Sequence, residues 1–377
     1  MNSPDRNRPE TRPLTLLIAV AVALVTGFIG SLALRPPGQA ATADRAAAEV
    51  ALPRLTWRAA SSFNQSTPIL GPVAWHVAES LDTLTGGALK LTVYDPGEVV
   101  PALEITEAVR GAKIDVGFQW VGYDQGRIPA STLISAVPFG MEPTEFTAWW
   151  YHGGGRELGE ALYEPHNVMP ILCSVIGPET AGWFREPVET LADLEGLKIR
   201  FAGLGGKVLQ RLGASVTMIP GGEIFQALEK GAIDATEFSM PAVDQRLGFN
   251  RVARFNYFPG WHQTFSAFHM QVNLDHWRGL NARMQGILRH ACQASVTFNL
   301  ALAEASQGSA ILEFSETGVN TGILPEPILR ELMAVAQEVL DDEAARDPMF
   351  AQILNSQREF SAVYREWKIR GYLPRTF

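Results

Sequence analysis

The chain has 377 residues, 46% of them hydrophobic, and a formal charge of −9 at pH 7. That length can build two packed cores. The acidic balance lacks the basic surface that phosphate backbones require, so nucleic acid is not an expected partner.

The N-terminus is polar and carries Arg6, Arg8 and Arg12, after which Leu14 to Leu34 runs without a charge. Small residues follow, and Ala41-Thr42-Ala43 fits an export cleavage site. The expectation is a cleaved export signal over 1–43, with an uncleaved membrane anchor as the alternative, since the run is long enough to span a bilayer. Either places the body outside the cytoplasmic membrane, in the periplasm. Removing that segment's four arginines and two acids leaves a charge of about −11.

From Leu55 to Phe63 the chain reads as a strand and a loop. "GPVAWHVAESLDTLTGG" has the period of an amphipathic helix with a glycine stop. "LKLTVYDP" alternates as a strand, and "ALEITEAVRGAKIDVGFQW" gives helix, turn and strand. This order predicts an α/β domain with a mainly parallel sheet. A second α/β run follows. It includes a strand in "MPILCSVIG", then helix–strand–helix–strand through "GGKVLQRLGASVTMIPGGEIFQALEKGAIDATEF", and a last strand in "FSAFHMQVN". Beyond Leu280 the chain reads as almost wholly helical. The expected domains are 44–171 with 267–300, then 172–266, then a helical region over 301–377 that packs on both or on a partner.

"EAVRGAKIDVGF" and "ALEKGAIDATEF" echo one another: each has a helix end, a glycine and a strand entered through Ile-Asp. In open α/β sheets, ligands collect beyond the carboxyl ends of strands. The echo therefore points Gln119 and Trp120 toward the same cleft as Glu237 and Phe238. Glu237 is notable because an ionised carboxylate in an apolar strand is costly without a partner.

Enzyme signatures are missing. "FAGLGGKV" satisfies neither a dinucleotide nor a P-loop pattern, and there is no G-x-S-x-G or H-E-x-x-H. The seven histidines do not cluster in sequence, and each reads as structural. Cys173 and Cys292 fit no metal spacing and are either paired or buried as free thiols.

The stretch "AGWFREPVETLADLEGLKIRFAGLGGKVLQRLGASVTMIPGGEIFQALEKGAIDATEFSMPAVDQRLGF" resembles the extracytoplasmic solute-binding subunits of tripartite ATP-independent periplasmic (TRAP) transporters. It is most similar to the branch that binds 2-oxo acids such as pyruvate and related monocarboxylates. The resemblance covers roughly Leu55 to Asp342. It implies a periplasmic-binding-protein-like fold, in which two α/β domains close on a small organic carboxylate. It also implies delivery to membrane subunits without chemistry, and the possibility of homodimers formed through C-terminal helices.

Carried onto this chain, the resemblance makes Arg200 the clamp for the ligand carboxylate; from its strand pattern alone, Arg200 faces either water or a ligand. A guanidinium suits the task because its planar donors match a carboxylate. The metal ligands become Glu237, the carbonyl of Phe238, and Glu179, which stands where the family usually has Gln. Phe238 stands where the family usually has Trp. With two carboxylates, Ca²⁺ is favoured over Na⁺ as the bound cation; the alternative is a site without metal, in which Glu179 meets an amine or hydroxyl on the ligand. Trp183 reads as a hinge or wall residue rather than a donor. Phe63, Gln119, Trp120, Tyr123 and Trp261 are further wall candidates. Asn273 ends a strand or forms a turn. The alternative function is an exported metal-dependent enzyme acting on an oxo acid.

Overall fold

The computed structural model describes residues 18, 20–26 and 52–373. Residues 18 and 20–26 are helical and exposed, and the rest of the expected export signal, including Ala41-Thr42-Ala43, lies outside the described residues. Among the described residues no helix is long and apolar enough to cross a membrane. From Leu52 onward the chain forms one compact unit.

The strands of this unit are β1 (Leu55–Ser61), β2 (Leu89–Tyr94), β3 (Val116–Trp120), β4 (Val168–Ile176), β5 (Gly182–Phe184), β6 (Lys198–Arg200), β7 (Ser215–Thr217), β8 (Ala235–Thr236), β9 (Phe255–Phe258), β10 (Ser266–Asn273) and β11 (Asn320–Ile323). They form two sheets, ordered β2-β1-β3-β10-β4 and β11-β9-β5-β8-β6-β7. Both are mixed, which corrects the mainly parallel expectation. In the first, β10 runs antiparallel to both β3 and β4. It re-enters from the second sheet after a short connection, so it meets its neighbours from the opposite direction. In the second, β5 is antiparallel to β8 and β9.

Helices cover the first sheet on both faces, so β4 and β10 are buried along their whole lengths, as strands between two helical layers must be. Helix Pro72–Leu84 starts with proline, whose missing N–H costs nothing there. It turns Val73, Ala74, Val77 and Leu81 onto the sheet. β4 runs through the domain boundary expected at residue 172 without a break and leaves the sheet at Ile176.

Three stretches connect the two sheets: residues 177–181, residues 259–265, and the 35-residue helix Ala282–Glu316. The helix starts at an Asn281 cap, whose side chain accepts from Met284 N. It is tied to β4 by the Cys173–Cys292 disulfide and by Asn299 Nδ2 donating to Ser174 Oγ at 2.6 Å. Further along, Phe314 meets the Trp183 ring edge-on at 4.9 Å. Of the two readings of the cysteines, the structure shows the pair.

The two last helices divide their contacts. Glu326–Arg346 packs on Gly203–Arg211 beside the second sheet, with Lys207 Nζ 2.6 Å from Glu343. Pro348–Gly371 packs on the first-sheet side, where Gln357 Nε2 donates to Leu133 O at 2.6 Å.

Candidate functional site

Strand ends and connections converge on one cleft. β6 delivers Arg200, and Ala202 follows it. β8 ends just before Glu237 and Phe238. The end of β3 supplies Trp120, with Tyr123 beyond it. Phe63 follows β1, Glu179 sits in the 177–181 connection, Gln263 in the 259–265 connection, and Phe268 in β10. With Leu70 these residues line a tight space of about 10 Å³, room for roughly one water molecule. A larger groove of about 850 Å³ runs between residues 137–145 and the C-terminal helix. We assign the site to the smaller space because, among the described residues, it is where a fully buried ion pair, Arg200 with Glu237, is found.

Arg200 is 1% exposed and Glu237 is fully buried. One guanidinium nitrogen, Nη1, donates to the Glu237 carbonyl and to its Oε1, both at 2.7 Å. Nε donates to Ile219 O at 3.3 Å, and the backbone N–H of Ala202 donates to Glu237 Oε1 at 2.5 Å. The guanidinium lies 5.3 Å over the Phe238 ring. Glu237 Oε2 has no hydrogen-bond partner. Burial pushes the Glu237 carboxyl up, but Arg200, His262 and the Ala202 N–H outweigh it and hold it below the usual range.

Glu179 differs. Burial first, then the Glu237 charge, push its carboxyl well above the usual range. Ser266 Oγ donates to its Oε1 at 2.8 Å. With its amide turned to donate, Gln263 reaches both Glu179 oxygens, at 3.1 and 3.3 Å. Two buried carboxylates in one site cannot both ionise without a cation between them.

His262 joins them. Its Nε2 is 3.6 Å from Glu237 Oε2 and 3.9 Å from Glu179 Oε2. The residue is 2% exposed, and neither ring nitrogen has a hydrogen-bond partner. Glu179, Glu237 and His262 thus form a donor trio whose ligand atoms lie within 4.8 Å of one another. Reading every histidine as structural did not anticipate His262 beside these two acids. The signal for it in the sequence is a polar His-Gln pair inside the apolar stretch "YFPGWHQTFSAF".

Two expected wall residues face elsewhere. Gln119 is buried in a polar knot, donating to Thr106 Oγ1 and, at 3.1 Å, to Asp124 Oδ2, with Gln271 alongside. The polar end of β3 serves this internal network, not the cleft. Trp261 stacks between Phe139 and Phe201, at 5.8 and 5.9 Å, and belongs to the core. Phe63, Trp120, Tyr123 and Phe238 do line the space, while Leu70, Ala202, Gln263 and Phe268 were not anticipated. Burial pushes the Tyr123 hydroxyl up to about 12, so it stays a neutral donor. Asn273 caps helix Leu274–Gly279, accepting from Asp275 N and His276 N.

Trp183 makes its bond within the protein, away from the cleft. Its Nε1 donates to Asp244 Oδ2 at 2.8 Å. Asp244 also accepts from Ser239 N at 3.1 Å and Thr180 Oγ1 at 3.4 Å. It therefore joins the loop after Glu237 to the loop after Glu179. Burial pushes the Asp244 carboxyl up to about 8.

Residues 60–347 match the model of the bacterial extracellular solute-binding protein family 7, and the chain belongs to that family. It is a DctP-type solute-binding protein of TRAP transporters, related to the 2-oxo acid and monocarboxylate branch. It is 32% identical over 320 residues to a monocarboxylate 2-oxoacid-binding periplasmic protein of Nostoc, covering 85% of this chain and 87% of that one. A TRAP transporter solute-binding protein of Bordetella bronchiseptica, solved with calcium and picolinate, superposes with a TM-score of 0.82 at 28% identity, covering 84% and 94% of the two chains. A protein of the same kind from Pseudoalteromonas atlantica, solved with sodium and pyruvate, gives a TM-score of 0.81 at 29% identity, covering 83% and 96%. The family serves transport by binding solutes, so the enzyme alternative is set aside.

Proposed function

We propose that the chain is a periplasmic receptor for a small monocarboxylate of the 2-oxo acid class, such as pyruvate, which it passes to membrane transporter subunits. The observation that carries this is the buried Arg200 set against two acidic groups in a small, aromatic-walled cleft. The internal bonds of Arg200 use Nε and Nη1. Nη2 would then be the nitrogen that meets a ligand carboxylate. Phe63, Phe238 and Phe268 offer an apolar wall to the ligand's other end. Pyruvate and picolinate, held by the two relatives, each pair a carboxylate with an adjacent acceptor.

The donor set fits a cation. Glu237 Oε2 is buried without a partner, and Glu179 stands beside it as a second acid. Glu179 and Glu237 would hold the ion, with the Phe238 carbonyl as the further oxygen that the family resemblance implies. The ion would supply positive charge for the ligand's carboxylate and adjacent oxygen. One guanidinium, two carboxylates, one divalent ion and one ligand carboxylate are together neutral. A monovalent ion leaves one buried negative charge uncompensated, unless Glu179 is protonated. Calcium is accordingly favoured over sodium.

Two further parts of the reading concern the whole protein. Cleavage after Ala43 would release the body into the periplasm, and N-terminal sequencing of the exported form checks it. The last helix exposes Val363, Trp367 and Ile369, which would be covered in a homodimer. Light scattering gives that answer.

The ligand itself is tested by denaturing protein purified without added solute and identifying the released acids by mass spectrometry. The proposal expects a stoichiometric 2-oxo or related monocarboxylate. A stoichiometric sugar or amine, with no acid, would overturn it.

A further inference from the structure

The relatives' sites hold calcium or sodium, ions that bind through oxygen. This chain places an imidazole beside Glu179 and Glu237. We propose that His262 is a direct ligand of the bound cation, and that the site therefore selects a borderline divalent ion of the zinc and cobalt class over calcium. The inference rests on the reading that a cation sits between Glu179 and Glu237.

Three observations support it. First, the distances fit one ion. Donors bound at roughly 2.1 Å each lie no more than about 4.2 Å apart. The Nε2 separations of 3.6 and 3.9 Å fall inside that limit. They are too long for hydrogen bonds, so the imidazole is not satisfied by the carboxylates themselves.

Second, two unsatisfied atoms meet there. His262 Nε2 and Glu237 Oε2 face each other, both buried, and neither has a partner. A buried polar atom without a partner is costly, and one cation answers both.

Third, the position is held from behind. Phe201 packs edge-on against the His262 ring at 4.6 Å and Trp261 at 5.5 Å, which confines the imidazole. A methyl group on Gly205 would come within 2.6 Å of the His262 Cβ, so the start of helix Gly203–Arg211 is open enough to admit it.

The chemistry then sets the preference. Calcium takes six to eight oxygens at longer distances and gains little from nitrogen. Imidazole with carboxylate suits zinc, cobalt and their neighbours.

The full chain, stripped by chelation, is titrated with Co²⁺ alone and with Ca²⁺ alone, and compared with His262→Gln and Glu179→Gln. The inference expects one tight Co²⁺ per chain with a visible absorption band, displaced by Zn²⁺, and weaker Ca²⁺ binding. Losing even an outer partner of a metal ligand costs about 10–100-fold in affinity, so His262→Gln should lose at least that for Co²⁺. Its affinity for Ca²⁺ should fall by less than its affinity for Co²⁺, and an unchanged circular dichroism spectrum shows that the variant is folded. Ca²⁺ binding tighter than Co²⁺ in the unmodified chain overturns the inference, whether or not the variant folds. So does Co²⁺ binding untouched by His262→Gln. In both cases the cation reading stands if Glu179→Gln weakens the binding that is seen. If neither ion binds the unmodified chain, the cation reading itself fails.

Discussion

Arg200 spends part of its guanidinium inside the protein, on Glu237, before any ligand arrives. Its removal should therefore be felt twice. Truncating one partner of a buried charged pair costs about 2–5 kcal/mol in binding, so Arg200→Ala should weaken carboxylate binding by tens to thousands of times in calorimetry. It also leaves Glu237 buried and unpaired, a loss of about 3–5 kcal/mol of stability, visible in denaturant unfolding. Arg200→Lys should recover part of the stability and little of the affinity, since an ammonium has no fork. Asp244 gives a pH signature. Its carboxyl is raised to about 8 in the folded protein, against about 3.9 when unfolded. The stability it contributes is complete below about pH 4 and is lost as pH rises through about 8. Asp244→Asn should remove that slope, so melting curves of variant and parent should diverge as pH rises from 5 to 9. Parallel curves would contradict it. At this scale the sequence was informative where chemistry and chain position coincide. Glu237 stands out as an acid in an apolar strand, and Arg200 sits at a strand end. His262 was hidden because its partners lie far away in the chain and its neighbour Trp261 drew the attention. Gln119 misled because a polar residue at a strand's end serves a ligand or an internal network equally well; Asp124, its actual partner, gave no sign of burial.

The connecting segments explain why the site forms. Gly260 lies where the 259–265 connection crosses the 177–181 connection, and Glu179 N donates to Gln263 O at 3.2 Å. A methyl group on Gly260 would sit 2.2 Å from the Glu179 carbonyl oxygen. Backbone cannot yield as a flexible side chain can, so Gly260→Ala should displace Glu179. The expected result is weakened cation and ligand binding, read by calorimetry, with circular dichroism retained. Native affinity in that variant would show that the crossing is not needed. The long helix is the third connection, and its disulfide to β4 closes a separation of 119 residues. Replacing Cys173 and Cys292 together by Ala should cost about 2–5 kcal/mol, measured by unfolding under non-reducing conditions. The helices and most strands were legible from their periodicity. The strand order was not, because the direction of β10 is set by the route the chain takes back from the second sheet, and that route leaves no local pattern.

On the scale of the whole molecule, two of the three connections carry site residues, Glu179 on 177–181 and His262 on 259–265, so any opening of the cleft would move them. The space between the lining residues admits about one water, and an acid of several heavy atoms enters only if the two sheets part. Ligand release and site disassembly are then one event, which suits a receptor that must hand its cargo on. The two-domain plan was readable from the repeated helix–glycine–strand pattern. How the connections cross was not, because Glu179 and Gly260 lie far apart in the chain. The central claim is that this cleft binds a small monocarboxylate through Arg200 and leaves it unchanged. Calorimetric titration with pyruvate in the presence of a divalent cation, with the pyruvate followed by NMR, tests it most directly. The account predicts saturation at one pyruvate per chain, no conversion, and loss of binding in Arg200→Ala; equal binding by Arg200→Ala, or turnover of the pyruvate, would contradict it.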